Sequence, residues 1–298
     1  MHFLKGVAAI LFILFNCILV WIPLAWWIIQ RTWTRGEKLR RLRRRMDKIV
    51  WWWTGNNRRM FRWLKTSNVQ VDWPEAEAMS PDNWYLVISN HQSWTDIVLL
   101  QSHLYGRIPP LKFFTKEQLI WVPFIGVAMK VLGFPYVKRV TKDQIRANPE
   151  LRTADRDNTI AACDGFKNHP TTILNFVEGT RRTEEKHARQ NSEFNYLLRP
   201  KVGGLGYVIE GMDDYLDALL DVTIVYPDGV PVFWDFLQGK CRNIIIQVHR
   251  HEIPASLREA DDATRRAELA QWVKELWEAK DQRIAELMSN EALPAGNI

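Results

Sequence analysis

Twenty-four consecutive residues without a charge, Gly6 to Ile29, constrain this chain more than any other feature. As a helix the run would reach roughly 36 Å, against a bilayer hydrocarbon core of about 30 Å. It exceeds the apolar stretch of a cleaved leader, and Trp26-Trp27-Ile28-Ile29 offers no small-residue cleavage site. Pro23 and Asn16 inside the run leave two geometries open, a full span or a kinked, re-entrant anchor.

The segment directly after the run is as informative. Residues 31–48 carry nine Lys/Arg against Glu37 and Asp47, so this short block accounts for the whole net charge of +6. A basic block directly after an apolar one meets an anionic, cytoplasmic leaflet, and the positive-inside rule puts the rest of the chain on that side. Charge gathered there argues against nucleic acid as partner. Nine of the 15 tryptophans precede residue 74, and Ile49–Leu64 mixes Trp51, Trp52, Trp53 and Trp63 with Arg58, Arg59 and Arg62. Indole rings favour the headgroup region, so this stretch reads as an interfacial amphipathic helix. A helix packed on the soluble domain would show the same stripe.

From Trp84 onward, short β-rich runs alternate with helix-like stretches. The expected strands are Trp84–Ser89, Lys112–Thr115, Phe134–Lys138, Thr172–Val177, Val222–Tyr226 and Asn243–Val248. The alternation predicts an α/β fold, a central sheet flanked by helices, closed by an amphipathic helix over Ala263–Met288. Three parts result: a membrane-anchoring helical segment over 1–30, a basic, Trp-rich interfacial helical segment over 31–73, and an α/β domain over 74–298. Cys17, Cys163 and Cys241 lie too far apart for a disulfide framework or a zinc motif. No metal or nucleotide motif is expected, and His249 with His251, one residue apart, lacks the neighbours a metal pair needs.

Two clusters at strand ends carry the chemistry. Asn90-His91-Gln92-Ser93-Trp94-Thr95-Asp96 follows the first strand. His91 and Asp96 can meet if His91 precedes a helix and Asp96 lies in its first turn, with Ser93 as N-cap. Asp96 would then hold one imidazole nitrogen and leave the other as a base. The second cluster, Phe176-Val177-Glu178-Gly179-Thr180-Arg181-Arg182-Thr183, turns at Gly179 and offers the planar fork of Arg181 to phosphate oxygens. An ordinary surface ion pair between Glu178 and Arg181 weighs evenly against that clamp.

These blocks resemble the signatures of the glycerolipid acyltransferases of the lysophosphatidate acyltransferase (PlsC-like) type. The first is His-x4-Asp in the setting Asn-His-Gln-Ser-Trp. Lys116 to Gly126, with Pro123 inside it, and Gly133 to Arg139 look like the second. Phe176–Thr183 looks like the third, and Val225-Tyr226-Pro227 like the short proline block. The resemblance covers residues 84–230, and the layout looks closest to the bacterial YihG-type inner-membrane acyltransferases. It is also similar to the eukaryotic branch that includes lysocardiolipin acyltransferases.

The resemblance implies a glycerolipid acyltransferase-like mixed sheet and an acyl transfer from acyl-CoA or acyl carrier protein to the free hydroxyl of lysophosphatidate, giving phosphatidate. His91 would be the general base and Asp96 its partner. Lys116, Arg139 and Arg181 would bind the acceptor phosphate, while Glu178, Gly179 and Thr180 shape its pocket. Asn90, Ser93, Pro123, Gly126 and Pro227 complete the motifs. The oxyanion donor is expected to be a backbone N–H near the His91 turn. No cofactor or metal is implied beyond the thioester co-substrate; the other partners are membrane lipids, including anionic phospholipids, and the place is the bacterial inner membrane with the catalytic domain facing the cytoplasm. Val177 and Tyr226 depart from the family pattern, and neither is expected to touch the catalytic pair. Another lysophospholipid acceptor, or a thioesterase in which water replaces the acceptor, are the competing readings.

Overall fold

The computed structural model describes residues 1–74, 79–116, 120–121, 125–137, 146–148, 150–259 and 261–292. Six strands form one mixed sheet in the order β1-β8-β7-β2-β6-β3. They are β1 (Asn68–Asp72), β2 (Tyr85–Ser89), β3 (Leu111–Phe113), β6 (Thr172–Asn175), β7 (Ala218–Val225) and β8 (Asn243–His251). A separate pair joins β4 (Thr115–Lys116) to β5 (Tyr136–Val137). Strands β7, β2, β6 and β3 run parallel, whereas β8 is antiparallel to β7 and parallel to β1. All five residues of β2 and all eight of β7 are buried, as expected of central strands covered on both faces.

The two-residue period of these strands sorts the core into two layers. Leu86, Ile88, Ile173 and Leu219 face helices α5 (Glu150–Cys163), α7 (Gly203–Met212) and α10 (Asp262–Ala292), where Trp277 is fully buried. Tyr85, Val87, Leu220, Val222 and Ile224 face α3 (Thr95–His103), α8 (Phe233–Leu237) and the ends of the N-terminal helices. Asp221 and Thr223 are polar exceptions on the first face. Lys280 of α10 reaches Asp221 Oδ1 at 2.7 Å with both side chains at 0% exposure, and Arg283 takes Oδ2 at 3.0 Å. The Lys280 ammonium also donates to the Val222 carbonyl at 2.7 Å. The C-terminal helix is thus keyed to β7 by charge as well as by apolar contact.

Helices α1 (His2–Trp33) and α2 (Gly36–Leu64) form an antiparallel hairpin. The basic block from Lys38 onward and the Trp-rich stretch belong to one continuous helix, α2, while Arg31 lies in the last turn of α1 and Arg35 caps α2. Asn16 sits at the hairpin centre, 1% exposed, and donates to Trp53 C=O and Asn57 Oδ1 while accepting from Asn56. One side of α1 packs inward through Gly6, Ala9, Val20 and Leu24, while Leu11, Phe15, Ile18, Ile22 and Trp26 are exposed along the other. The first turn and the second half of α1 contact other parts of the protein. His2 pairs with Gln238 C=O and Lys5 with Lys65 C=O, while Val20 and Leu24 share a cluster with Val131 of α4 (Ile125–Val131).

The helical segment expected to reach residue 73 ends at Leu64. Lys65 adopts the left-handed conformation (φ 47°), and Val69 and Val71 alternate inward as β1. That edge strand is too short and too exposed to stand out in the sequence. Phe134–Lys138 contracts to Tyr136–Val137, with Lys138 outside the described residues.

Lys280→Met strips the ammonium from the carboxylate of a wholly buried aspartate, and breaking such a pair costs about 3–5 kcal/mol. Thermal unfolding followed by tryptophan fluorescence measures it. Adding Asp221→Leu should restore part of the loss, since the orphaned charge goes with it; an unaltered melting curve for Lys280→Met alone would show the pair to be unimportant.

Candidate active site

The site lies where β2, β6 and β7 end side by side, the place in an open α/β sheet where loops converge on a cleft. Asn90 secures the seam. Its amide donates to Ile224 C=O at 2.8 Å and its carbonyl accepts from Ile224 N–H at 2.9 Å, so a side chain continues the ladder beyond β2.

His91 precedes α3 and Asp96 lies in its first turn, the geometry that their spacing demanded. Asp96 is 1% exposed, and its carboxylate draws four donors. Oδ2 accepts from His91 Nδ1 at 2.8 Å, Gln92 N–H at 2.7 Å and Ser93 N–H at 2.9 Å. Oδ1 accepts a hydrogen bond from the Tyr226 hydroxyl. A buried carboxylate next to a ring nitrogen fixes Nδ1 as the protonated one. That leaves Nε2 with its lone pair and no protein partner among the described residues, on a side chain 13% exposed. Phe176 stacks on the imidazole at 4.0 Å and 17° and sets its plane.

The Ser93 hydroxyl accepts from Thr95 N–H, at the start of α3, at 3.2 Å, as its expected capping role requires. Trp94, next to it, has helical backbone angles and no side-chain cap bond, and Asp96 reaches back to the N–H groups of Gln92 and Ser93. The Ser93 hydroxyl donates to Pro231 C=O at 2.6 Å, tying the loop after β7 to the loop after β2. The expected oxyanion donor is not among residues 91–93. The N–H of His91 goes to Glu178, and those of Gln92 and Ser93 go to Asp96.

Tyr226, expected from the sequence to be remote from the pair, touches it directly. Burial and the charge of Asp96 hold its phenol well above the ordinary range, so it remains a donor. A tyrosine ending the β-branched run Val222–Val225 was the available signal, because a buried phenol must find an acceptor.

Glu178 lies behind the ligand-facing surface. Its carboxyl is 0% exposed and accepts from His91 N–H and Leu198 N–H, each at 3.2 Å. Burial pushes it up to about 8, against the pull of those two donors and of Lys280. It joins the His91 loop to the loop after β6, and the Arg182 N–H returns a 2.7 Å bond to His91 C=O. Gly179 adopts φ +68°, and a Cβ there would lie 3.1 Å from the Lys201 side chain, so only glycine fits the turn. Thr180 accepts from Lys186 at 2.8 Å.

The two neighbouring arginines have different tasks. Arg182 pairs with Glu184 at 2.8 Å and braces Asn195 C=O. Arg181 lies over the Trp94 ring at 4.8 Å and meets no carboxylate among the described residues. Its exposed guanidinium is therefore the fork of this cluster that no carboxylate among the described residues engages. Gly126 is buried in α4, and Pro227 follows β7. Pro123 and Arg139 lie outside the described residues, and Lys116 is placed by its backbone alone, in β4. His249 and His251 sit on β8 away from this cluster, and no group of three metal-ligating side chains occurs among the described residues.

Known proteins converge on the same region. The Acyltransferase family profile matches residues 70–226. Mouse lysocardiolipin acyltransferase 1 is 27% identical over 236 residues, covering 72% of this chain and 57% of that protein. Mouse 1-acyl-sn-glycerol-3-phosphate acyltransferase epsilon is 24% identical over 226 residues, 67% of this chain and 57% of that protein. This chain therefore spans little more than half the length of these curated relatives. Among solved structures, the 1-acyl-sn-glycerophosphate (LPA) acyltransferase PlsC from Thermotoga maritima shares the fold. Its TM-score is 0.53 at 18% identity, over 96% of this chain and 98% of that one.

Glu178 gives the site a pH signature. Its folded carboxyl titrates near 8, above the ordinary 4.5, so its stabilising contribution is full below about 4.5 and is lost as pH rises through 8. Melting temperatures of wild type and Glu178→Gln should accordingly converge or cross between pH ~5 and ~8.5, with the wild type losing ground as pH rises. A constant difference across that window would mean that burial does not raise this carboxyl.

Proposed function

The chain belongs to the acyltransferase family, and from that premise we propose that it moves a fatty acyl group from a thioester to the free hydroxyl of lysophosphatidate, giving phosphatidate. The observation that carries the proposal is the His91–Asp96 pair, whose Nε2 has no partner among the described residues and whose loop is bonded to the Arg181–Arg182 loop. Arg181 binds the acceptor phosphate and brings its hydroxyl to His91 Nε2; Arg139 and Lys116 are proposed to assist. Nε2 takes the hydroxyl proton as the oxygen attacks the thioester carbonyl, and Asp96 stabilises the imidazolium. When the carbon–sulfur bond breaks, that proton goes to the departing thiolate. The thioester is proposed to be acyl-CoA or acyl carrier protein, with no further cofactor.

The enzyme needs no acyl-enzyme intermediate. Ser93 spends its hydroxyl on Pro231, and burial pushes the Cys163 thiol up to about 12, far from a thiolate. A second reading keeps this mechanism and changes the acceptor to another lysophospholipid, such as lysocardiolipin or lysophosphatidylglycerol. It is favoured by the relatives named lysocardiolipin acyltransferases.

The same proposal places the protein on a membrane. The exposed apolar side of α1 faces lipid, and the exposed Arg41 and Arg45 of α2 face anionic headgroups. Because the first turn of α1 and the Val20–Leu24 part of its second half both contact the body, the helix lies in one leaflet instead of crossing it. We assign it to the cytoplasmic leaflet of a bacterial inner membrane.

Purified protein in detergent, given acyl-CoA and a panel of lysophospholipids, tests the reaction. Transfer to lysophosphatidate should fall about 10²–10⁴-fold in His91→Ala. Transfer to a different acceptor alone selects the second reading, while release of free thiol at full rate without any acceptor identifies a thioesterase. Tyr226→Phe removes one donor from Asp96 without touching the acceptor, so kcat should fall about 10–100-fold at unchanged KM. A change confined to KM would place Tyr226 in the acceptor pocket.

A further inference from the structure

Beyond the catalytic cleft, a pocket of about 270 Å³ lies between the C-terminal part of α2, helix α3, β1 and α8. Phe61 and Val69 contribute apolar wall, and Arg58, Arg62, Ser102 and His103 contribute polar wall. Arg58 and Arg62 are four residues apart and so share one side of α2. No residue lining the pocket carries a negative charge. Arg58 lies over the Tyr105 ring at 5.6 Å, and neither guanidinium meets a carboxylate among the described residues. His103 donates Nδ1–H to Leu99 C=O at 2.9 Å, which leaves Nε2 without a protein partner among the described residues.

We infer that this pocket is a second anion site, which binds a phosphate group through Arg58, Arg62 and His103. Three nitrogenous groups that can be cationic, gathered without a counter-charge, repel one another until an anion enters. Two guanidinium forks suit the oxygens of a tetrahedral phosphate, and the Ser102 hydroxyl lies on the same wall. The site is not the catalytic one. Asp96 is in the first turn of α3 and His103 is its last residue, about 10 Å further along the helix axis.

His103 provides the internal reporter. Burial, together with the charge of Arg58, holds its imidazole below the ordinary range in the empty pocket. The groups facing it are Arg58 and Arg62 from α2, while β1 and α8 present Val69 and Phe236. An anion bound between them reverses the local field and lets Nε2 take a proton and donate it to the ligand. The phosphate has two possible sources. The end of α2 adjoins the N-terminal turn of α1 through the Lys5–Lys65 contact, so a lipid headgroup is within reach, and a soluble phosphate ester has the same chemistry. The inference does not depend on which reaction the catalytic site performs.

The test uses the full chain in detergent micelles, with the imidazole proton signals read by NMR and the His103 signal assigned from its loss in His103→Gln. Inorganic phosphate, against chloride at equal ionic strength, should move the His103 signal saturably and raise its titration midpoint by about 1–3 pH units. Arg58→Gln with Arg62→Gln should weaken that response about tenfold or more, the other histidine signals reporting that the fold persists. Bicelles of phosphatidylcholine with phosphatidic acid, against phosphatidylcholine alone, separate the sources. A shift with the acidic lipid identifies a headgroup site, and a shift with soluble phosphate alone identifies a soluble ester. No response beyond chloride to either probe, or an equal response in the double variant, would overturn the inference.

Discussion

A carboxylate deprived of water must be supplied with donors or it will take a proton, and Asp96 is supplied with four. Those donors come from the loop after β2 and from Tyr226 after β7, so satisfying one charge fixes the relative position of two strand ends. The imidazole of His91 is among the four, and its orientation is a by-product of the same requirement. Phe176, from the loop after β6, closes the arrangement from the side.

Glu178 extends this logic one layer deeper. It joins the His91 loop to Leu198 and feels the ammonium of Lys280, which neutralises Asp221 on the adjacent face of the sheet. The C-terminal helix thereby belongs to the electrostatic support of the loops that form the candidate site. Such support acts through the field and through packing, since Lys280 spends its own hydrogen bonds on Val222 and Asp221.

The α/β alternation, the apolar N-terminal helix, the amphipathic C-terminal helix and the His91–Asp96 pair were all legible along the chain. Each rests on a local pattern: an alternation of runs, an uncharged stretch, a helical period, a spacing that fits one turn. Strand β1 was not legible, because Val69 and Val71 are its only inward residues and its stability comes from β8, more than 170 positions away. The part played by Tyr226 was hidden for the same reason: Asp96 is 130 residues distant. Ser93 meets the start of α3 through Thr95 N–H as its local pattern suggested, but its second bond, to the Pro231 carbonyl 138 residues away, was not legible.

By itself the sequence determined which residues can ionise, which stretches must leave water and which side chains fall within one turn of one another, since these depend on composition and on periods of two and 3.6 residues. Only the tertiary structure decided that α1 folds back on α2, that Arg181 lies over Trp94 while Arg182 is spent on Glu184, and that Glu178 points inward to be pushed toward neutrality. Those outcomes turn on how deeply each group is buried and which distant donors reach it, and both are set by contacts between segments far apart in the chain.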